Sequence, residues 1–346
     1  MPINYEPIDA TTDVATTRTL LHEVIPLTGS IVSGTYGTFP NDDNIKNYSH
    51  GMFQSVYDYP YLSSSANHIF DLTAGFDESS VLSGSFSSVQ ETKKINMYNQ
   101  FSQVLLGYTG STNRVRLFES DLTLDEDRPM KETIFVNLSR LLTKDEIKKG
   151  SVSITLGTAS WAAPFGGVKT FTDADAAENA GTLNTIGGDY GILSSSTAGV
   201  GGVVFYQAGV MVLTSSIWTG TTDFFSQSGT ARTIDNQLVS GSISGSADAF
   251  RHRLQNLQFN NTTEINSTVY FCRMPHNKFN YSSNPTYLNA GSIRVKNNSR
   301  NNPPISYITT VGLYNSQNEL LAVAKLSEPL RKDPTNELTL RVRLDY

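Results

Sequence analysis

The sequence predicts a mainly β protein with β-sandwich-like sheets and one or two short helices, around residues 88–107 and 143–149. Three observations carry that reading. Only 17% of the 346 residues are charged, below the roughly 25% of an ordinary soluble domain. Ser, Thr, Asn, Gly and Tyr stand where Lys and Glu would be, a surface typical of β-rich assembled or extracellular proteins. Apolar and polar residues alternate with period two in several runs, whereas helical periodicity is confined to the two short segments.

Composition divides the chain into an extended amino-terminal arm over residues 1–60, a mixed α/β part over 61–156, a Gly/Ser/Thr-rich β and loop insertion over 157–250, and a carboxyl-terminal β domain over 251–346. The arm carries turn signals at Gly29, Gly34, Gly37, Pro40 and Gly51 and packs poorly alone, so it is expected to drape over a neighbour. Phe53, Tyr57, Tyr59 and Tyr61 form an aromatic cluster read as core under a loop. Ser88 and Glu91 stand at capping-box spacing, Ile95, Tyr98, Phe101 and Leu105 follow at helical period, and Gly107 suits the position after a helix end. A strand is read at residues 133–138. Thr143 and Glu146 repeat the capping-box spacing, with Lys148 and Lys149 placed for the dipole of a helix ended by Gly150.

Residues 151–156 alternate strictly. The runs 203–206 and 209–213 suggest two strands or one interrupted by a bulge, and residues 219–247 return to Ser, Gly and Thr. Residues 268–272 read as a strand and 279–285 as a turn. Residues 305–314 and 320–326 form a hairpin across the polar group 315–318. In the last segment Leu338, Leu340, Val342, Leu344 and Tyr346 share one face and Thr339, Arg341, Arg343 and Asp345 the other, which locks the end of the chain into a sheet.

Chemistry is sparse. The net charge is −6 and no Lys/Arg-rich run is present, so the electrostatic footprint of nucleic-acid binding is missing. No leader and no apolar stretch of membrane length is seen, which predicts a protein made in a cytoplasm, with no membrane partner. Cys272 is the single cysteine, which excludes an internal disulfide. His22, His50, His68, His252 and His276 lack metal-ligand spacing. On one strand, Cys272 and His276 would stand about 13 Å apart, too far for a nucleophile and its base. Asp121, Asp125, Glu126 and Asp127 lack the order of a calcium loop and read as solvated acids beside Arg128; Asp173 and Asp175 offer a weaker cation pair. Gly199, Gly201 and Gly202 precede a strand rather than a helix and read as a turn, not a phosphate loop. No catalytic residue, cofactor or metal is therefore expected.

The string Tyr307-Ile-Thr-Thr-Val-Gly-Leu-Tyr314, continued through Asn315 to Lys325, resembles a hairpin pattern of phage tail-fibre and baseplate-associated proteins. Gly312 would permit close approach beside the paired strand and Tyr314 would open the turn. With residues 279–285, Arg341-Val-Arg-Leu-Asp-Tyr346, residues 134–142 and residues 144–149, the chain resembles virion structural proteins of contractile-tailed phages, particularly those infecting marine cyanobacteria. The likeness covers residues 131–156 and 268–346. It implies a non-enzymatic tail, baseplate or neck part, present in the virion as a homo-oligomer or symmetric ring and contacting other virion structural proteins. Tyr307, Gly312, Tyr314, Arg341, Arg343 and Tyr346 are the expected hairpin and interface residues. A neck or capsid position and a carbohydrate-binding tail protein using residues 157–250 are the alternatives. A glycan-cleaving enzyme would need a carboxylate pair such as Asp125 and Glu126.

Overall fold

The computed structural model describes residues 5–32, 37–38, 40–84, 88–109, 114–177, 181–227, 229–282, 299–301 and 305–346. The chain is mainly β, with large antiparallel sheets and a few short helices. It forms two compact units, one of Met1–Leu20 with Glu264–Tyr346 and the other of Leu21–Thr263. These boundaries fall inside two strands, Val14–Thr28 and Leu254–Met274, rather than at the composition changes near residues 60, 157 and 251. Gly34 and residues 283–285 of the predicted turns lie outside the described residues.

In the larger unit the first part of Leu254–Met274 is followed across the sheet by Ser153–Gly157, Val168–Thr172, Gly188–Ser195, Gly199–Phe205, Val210–Thr214, Glu132–Leu138, His68–Phe76, Gln54–Tyr57 and Ile45–Asn47. Each of these neighbours pairs antiparallel. The stretch 157–250 thus supplies four of the sheet's inner strands. Its two apolar runs are separate strands, Gly199–Phe205 and Val210–Thr214, joined by a tight hairpin.

The inner strands read as nearly unbroken apolar runs because both of their faces are covered. Along Glu132–Leu138, Ile134, Val136 and Leu138 enter one hydrophobic cluster while Phe135 enters another; along Val210–Thr214, Met211 and Leu213 divide from Val210 and Val212 in the same way. Burial of one such side chain contributes about 1.5–3 kcal/mol.

The predicted first helix forms over Val89–Leu105, with the Ser88 hydroxyl accepting from the Glu91 N–H and Gly107 at φ +83° just beyond its end. Only glycine takes that left-handed conformation without strain. The helix is seated by Phe101, which stacks on Phe135 at 4.3 Å, and by Tyr98, whose hydroxyl donates to the Met130 carbonyl at 2.9 Å.

The second predicted helix does not form. Arg140–Thr143 makes one turn after Ser139, and Lys144 ends it at φ +56°. Glu146–Ile147 then pairs as a strand with residues 261 and 262. Ile147 is fully buried there and its N–H donates to the Tyr206 carbonyl. One turn of helix cannot sustain itself, and burying Ile147 in the sheet wins over the capping-box pattern.

Two helices lie instead in the segment read as Ser/Gly/Thr-rich loop, Ile234–Ser240 and Ile243–Arg253. Thr233 caps the first and Ser242 the second, each accepting a backbone N–H in the opening turn. Lys94, fully buried, donates to the carbonyls of Gln237 (3.2 Å), Leu238 and Gly241 (2.7 Å) at the end of the first. An ammonium there satisfies orphan carbonyls and meets the negative end of the helix dipole. Burial, helped by Arg232, pulls its pKa down to about 8.

The second helix ends in two buried arginines. Arg251 donates to Gln54 Oε1 (2.7 Å), the Val32 and Pro40 carbonyls (2.8 and 3.0 Å), Asp42 Oδ2 (2.9 Å) and Asp248 Oδ1 (2.8 Å). Arg253 donates to the carbonyls of Phe224 (3.1 Å), Ala159 (2.7 Å) and Asp223 (2.9 Å).

Replacing Lys94 by Met leaves three carbonyls without their donor. Urea unfolding is expected to show a loss of about 2 kcal/mol, with the native far-UV spectrum retained in the absence of denaturant.

Candidate functional site

The residues singled out by the hairpin pattern lie in the smaller unit. Ser306–Tyr314 and Leu320–Lys332 form a two-stranded antiparallel sheet of their own. Among the described residues neither strand pairs with a third strand. The connection at residues 315–319 is tied by the Asn315 side chain, whose Oδ1 accepts from the N–H groups of Gln317 and Glu319, both at 2.9 Å. At the base, buried Lys332 donates to the His276 and Asp333 carbonyls and to Asn280 Oδ1. The ribbon is therefore tied at its turn by its own Asn315 and at its base to the segment around residues 276–280 through Lys332.

Its two faces differ. Val311, Leu313, Ala322 and Ala324 are shielded, while Tyr314 (45% exposed), Leu320 (51%) and Val323 (51%) open to solvent on the other side. Tyr307 (62%) and Leu321 (68%) add to the exposed apolar surface. Gly312 faces Tyr314 and Leu320: a Cβ there would lie 2.9 Å from the Tyr314 ring and 3.1 Å from Leu320 Cδ1. The space that the sequence reading reserved for a neighbouring backbone holds an aromatic ring folded over the glycine. Tyr5 meets that ring edge-on at 5.0 Å.

Arg341, Arg343 and Tyr346 belong to Leu338–Asp345 and its last neighbour. That strand pairs with Leu254–Met274 from Met274↔Leu338 to Ser267↔Asp345. Tyr346 continues the ladder through two backbone bonds with Asn266, and its hydroxyl meets Thr268 at 3.1 Å. Arg343 donates to Asp345 (2.6 Å) and Ser267 (2.9 Å). Arg341 is exposed. The alternation read from sequence is realised through Asp345: Leu338, Leu340, Val342 and Leu344 are shielded and their odd-numbered neighbours are exposed, but Tyr346, read as the last member of the shielded face, is 75% exposed.

Sequence reasoning did not find the longest exposed element. Val14–Thr28 is a single strand at the end of the sheet order, paired on one side only among the described residues. Every residue from 15 to 24 is exposed, including Leu20 (44%), Leu21 (51%) and Val24 (63%). A half-buried strand hides every second residue; this one hides neither face over that length. Pro26, which has no N–H to donate, is compatible with an edge.

The candidates for chemistry separate. Cys272 is half-buried with its thiol pushed up by burial, and His276 pairs with Glu337 instead. Asp173 is buried and accepts from the Gly150 and Val152 N–H groups (2.8 Å each) and the Tyr206 hydroxyl (3.0 Å), so it clasps the fold, while Asp175 is exposed. Trp218, Tyr190, Tyr206 and Phe224 within 157–250 are core residues rather than a stacking platform. In the acidic loop, Glu126 pairs with Arg114, and Asp121 and Asp127 are joined by Glu119. No described helix is long and apolar enough to cross a membrane.

Gly312→Val overpacks the ring, at a cost of about 1–3 kcal/mol. Hydrogen exchange is expected to speed up about tenfold or more across the two ribbon strands, with the amides of Glu132–Leu138 and Val210–Thr214 unchanged.

No protein-family model, curated protein or solved structure matches this chain.

Proposed function

We propose that the protein is a non-enzymatic structural component of a tailed-phage virion, a tail- or baseplate-associated connector that assembles through strand edges. The observation that carries this reading is a two-stranded ribbon, paired with no third strand among the described residues, whose outer face carries exposed apolar side chains. An isolated hairpin is at best marginally stable in water, and an exposed apolar patch marks a contact site more often than idle surface. The strand Val14–Thr28, paired on one side only among the described residues, adds a sheet edge that a partner strand could extend. The resemblance of residues 131–156 and 268–346 to virion proteins supplies the biological setting. The partners on this reading are other virion structural proteins and further copies of the chain.

The test combines location with assembly. Mass spectrometry of purified particles is expected to detect the chain, and cross-linking to join it to tail or baseplate proteins; cross-links to capsid proteins would place it there instead. Leu20→Lys with Val24→Lys, and separately Tyr307→Ser with Leu321→Ser, change only exposed positions, so folding stability is expected to shift by no more than about 0.5 kcal/mol per site. Incorporation into particles is expected to fall at least tenfold. Absence from particles, or unchanged incorporation of both variants, would overturn the assignment.

A further inference from the structure

The acidic loop of the larger unit contains a feature that a solvated acidic patch lacks. Phe118–Glu119 and Pro129–Met130 pair as a short hairpin, and buried Phe118 and Met130 anchor it in the core. Glu119 is 3% exposed. One of its oxygens, Oε1, accepts from the Glu126 N–H at 3.0 Å; the other, Oε2, is buried and without any hydrogen-bond partner. One carboxylate oxygen each from Glu119, Asp121 and Asp127 lie within 4.8 Å of one another.

A buried carboxylate oxygen with no donor is costly, and packing it beside two further carboxylates adds repulsion. Burial pushes the Glu119 pKa up; the Glu126 N–H opposes this, and Asp121, Asp125 and Asp127 reinforce it. The loop is nevertheless built to hold these groups together. Thr123 donates to Asp121 Oδ1, and Asp125 Oδ1 accepts from the Asp127 N–H. Glu126 takes the left-handed φ of +68° that turns the chain back, steadied by a two-pronged pairing with Arg114 at 2.8 Å. Arg128 is the nearby cation, with Nε 3.8 Å from Asp121 and 3.9 Å from Asp127, outside hydrogen-bond range and with its side chain 66% exposed. It leaves Glu119 Oε2 unserved.

We infer that Glu119, Asp121 and Asp127 form a calcium-class divalent-cation site that fastens the 120–128 loop. The donors are all hard oxygens, which suit calcium and disfavour zinc. Calcium–oxygen distances of about 2.4 Å put oxygens on opposite sides of the ion about 4.8 Å apart, so one ion spans this trio with the loop as it stands, water completing the shell. Magnesium demands near-ideal octahedral geometry and is usually held by only one or two carboxylates with most of its waters retained, so a three-carboxylate loop suits it less well. The inference rests on the larger unit alone and is independent of the assembly role proposed above.

Terbium binding to the chelator-treated full chain tests it. The Tyr190 hydroxyl donates to the carbonyls of Asp121 (3.1 Å) and Thr123 (3.3 Å), close enough to sensitise a lanthanide held by the loop. Saturable terbium emission is expected, displaced by calcium and at least tenfold less readily by magnesium. Calcium at about a hundred times its Kd is expected to raise the melting temperature by about 5 °C. Glu119→Gln and Asp127→Asn should each weaken calcium binding at least tenfold; Asp127 is exposed, so that variant keeps its melting temperature without calcium. No saturable emission, displacement by magnesium as effective as by calcium, or affinity unchanged in both variants would overturn the site.

Discussion

Two guanidinium groups at the end of one helix set the terms for the larger unit. Arg251 and Arg253 are buried, and a charge out of water is tolerable only if its N–H groups all find acceptors. Apart from Asp248 on the same helix, their acceptors come from chain segments far away in sequence: residues 32–54 for Arg251, and residues 157–159 with 223–224 for Arg253. The acceptors of Arg253 are backbone carbonyls, so it fixes where the chain runs, whereas Arg251 also requires the side chains of Gln54, Asp42 and Asp248. Leu254 follows at once and begins the strand beside Ser153–Gly157. The buried arginines thereby fix where that strand begins. Removing either arginine would strand several carbonyls together, a loss much larger than that of one hydrogen bond.

The legible part of this fold was the part governed by local pattern. Strict alternation found the strands at 151–156 and 338–345, where each side chain's face follows from its parity, and short strand-like runs found those at 133–138 and 305–314. Ser88, Glu91 and Gly107 marked the long helix because caps are local chemistry. The helices Ile234–Ser240 and Ile243–Arg253 escaped because Gly245, Ser246, Ala247 and Ala249 are small residues buried by close packing, which a hydrophobic-period reading passes over. Thr233, Ser242 and the basic last turn Arg251–Arg253 were the available signals. The apparent helix at 143–149 failed for the opposite reason: its local signals were sound, and a distant strand had a better use for Ile147. In the acidic loop, the sequence grouped Asp125 and Glu126 with Asp121 and Asp127, but hairpin closure at Phe118↔Met130 turns Glu119 inward in their place.

The two units answer the demand for satisfied backbone and covered apolar surface differently. In the larger one, both faces of the inner strands are covered and its deep cations are matched by acceptors. In the smaller one, the ribbon presents Tyr314, Leu320 and Val323 to water, with Tyr314 laid over Gly312 as partial cover. A glycine roofed by a ring keeps a two-stranded piece in register before anything else is present.

Val14–Thr28 carries a different burden. An open strand edge does not distinguish a cognate neighbour from another copy of itself, and Arg18, His22 and Glu23 are the ionisable residues that interrupt it. At high concentration such an edge, paired on one side only among the described residues, favours strand-to-strand association between copies, and the spacing of those three ionisable side chains sets how strongly that pairing is resisted.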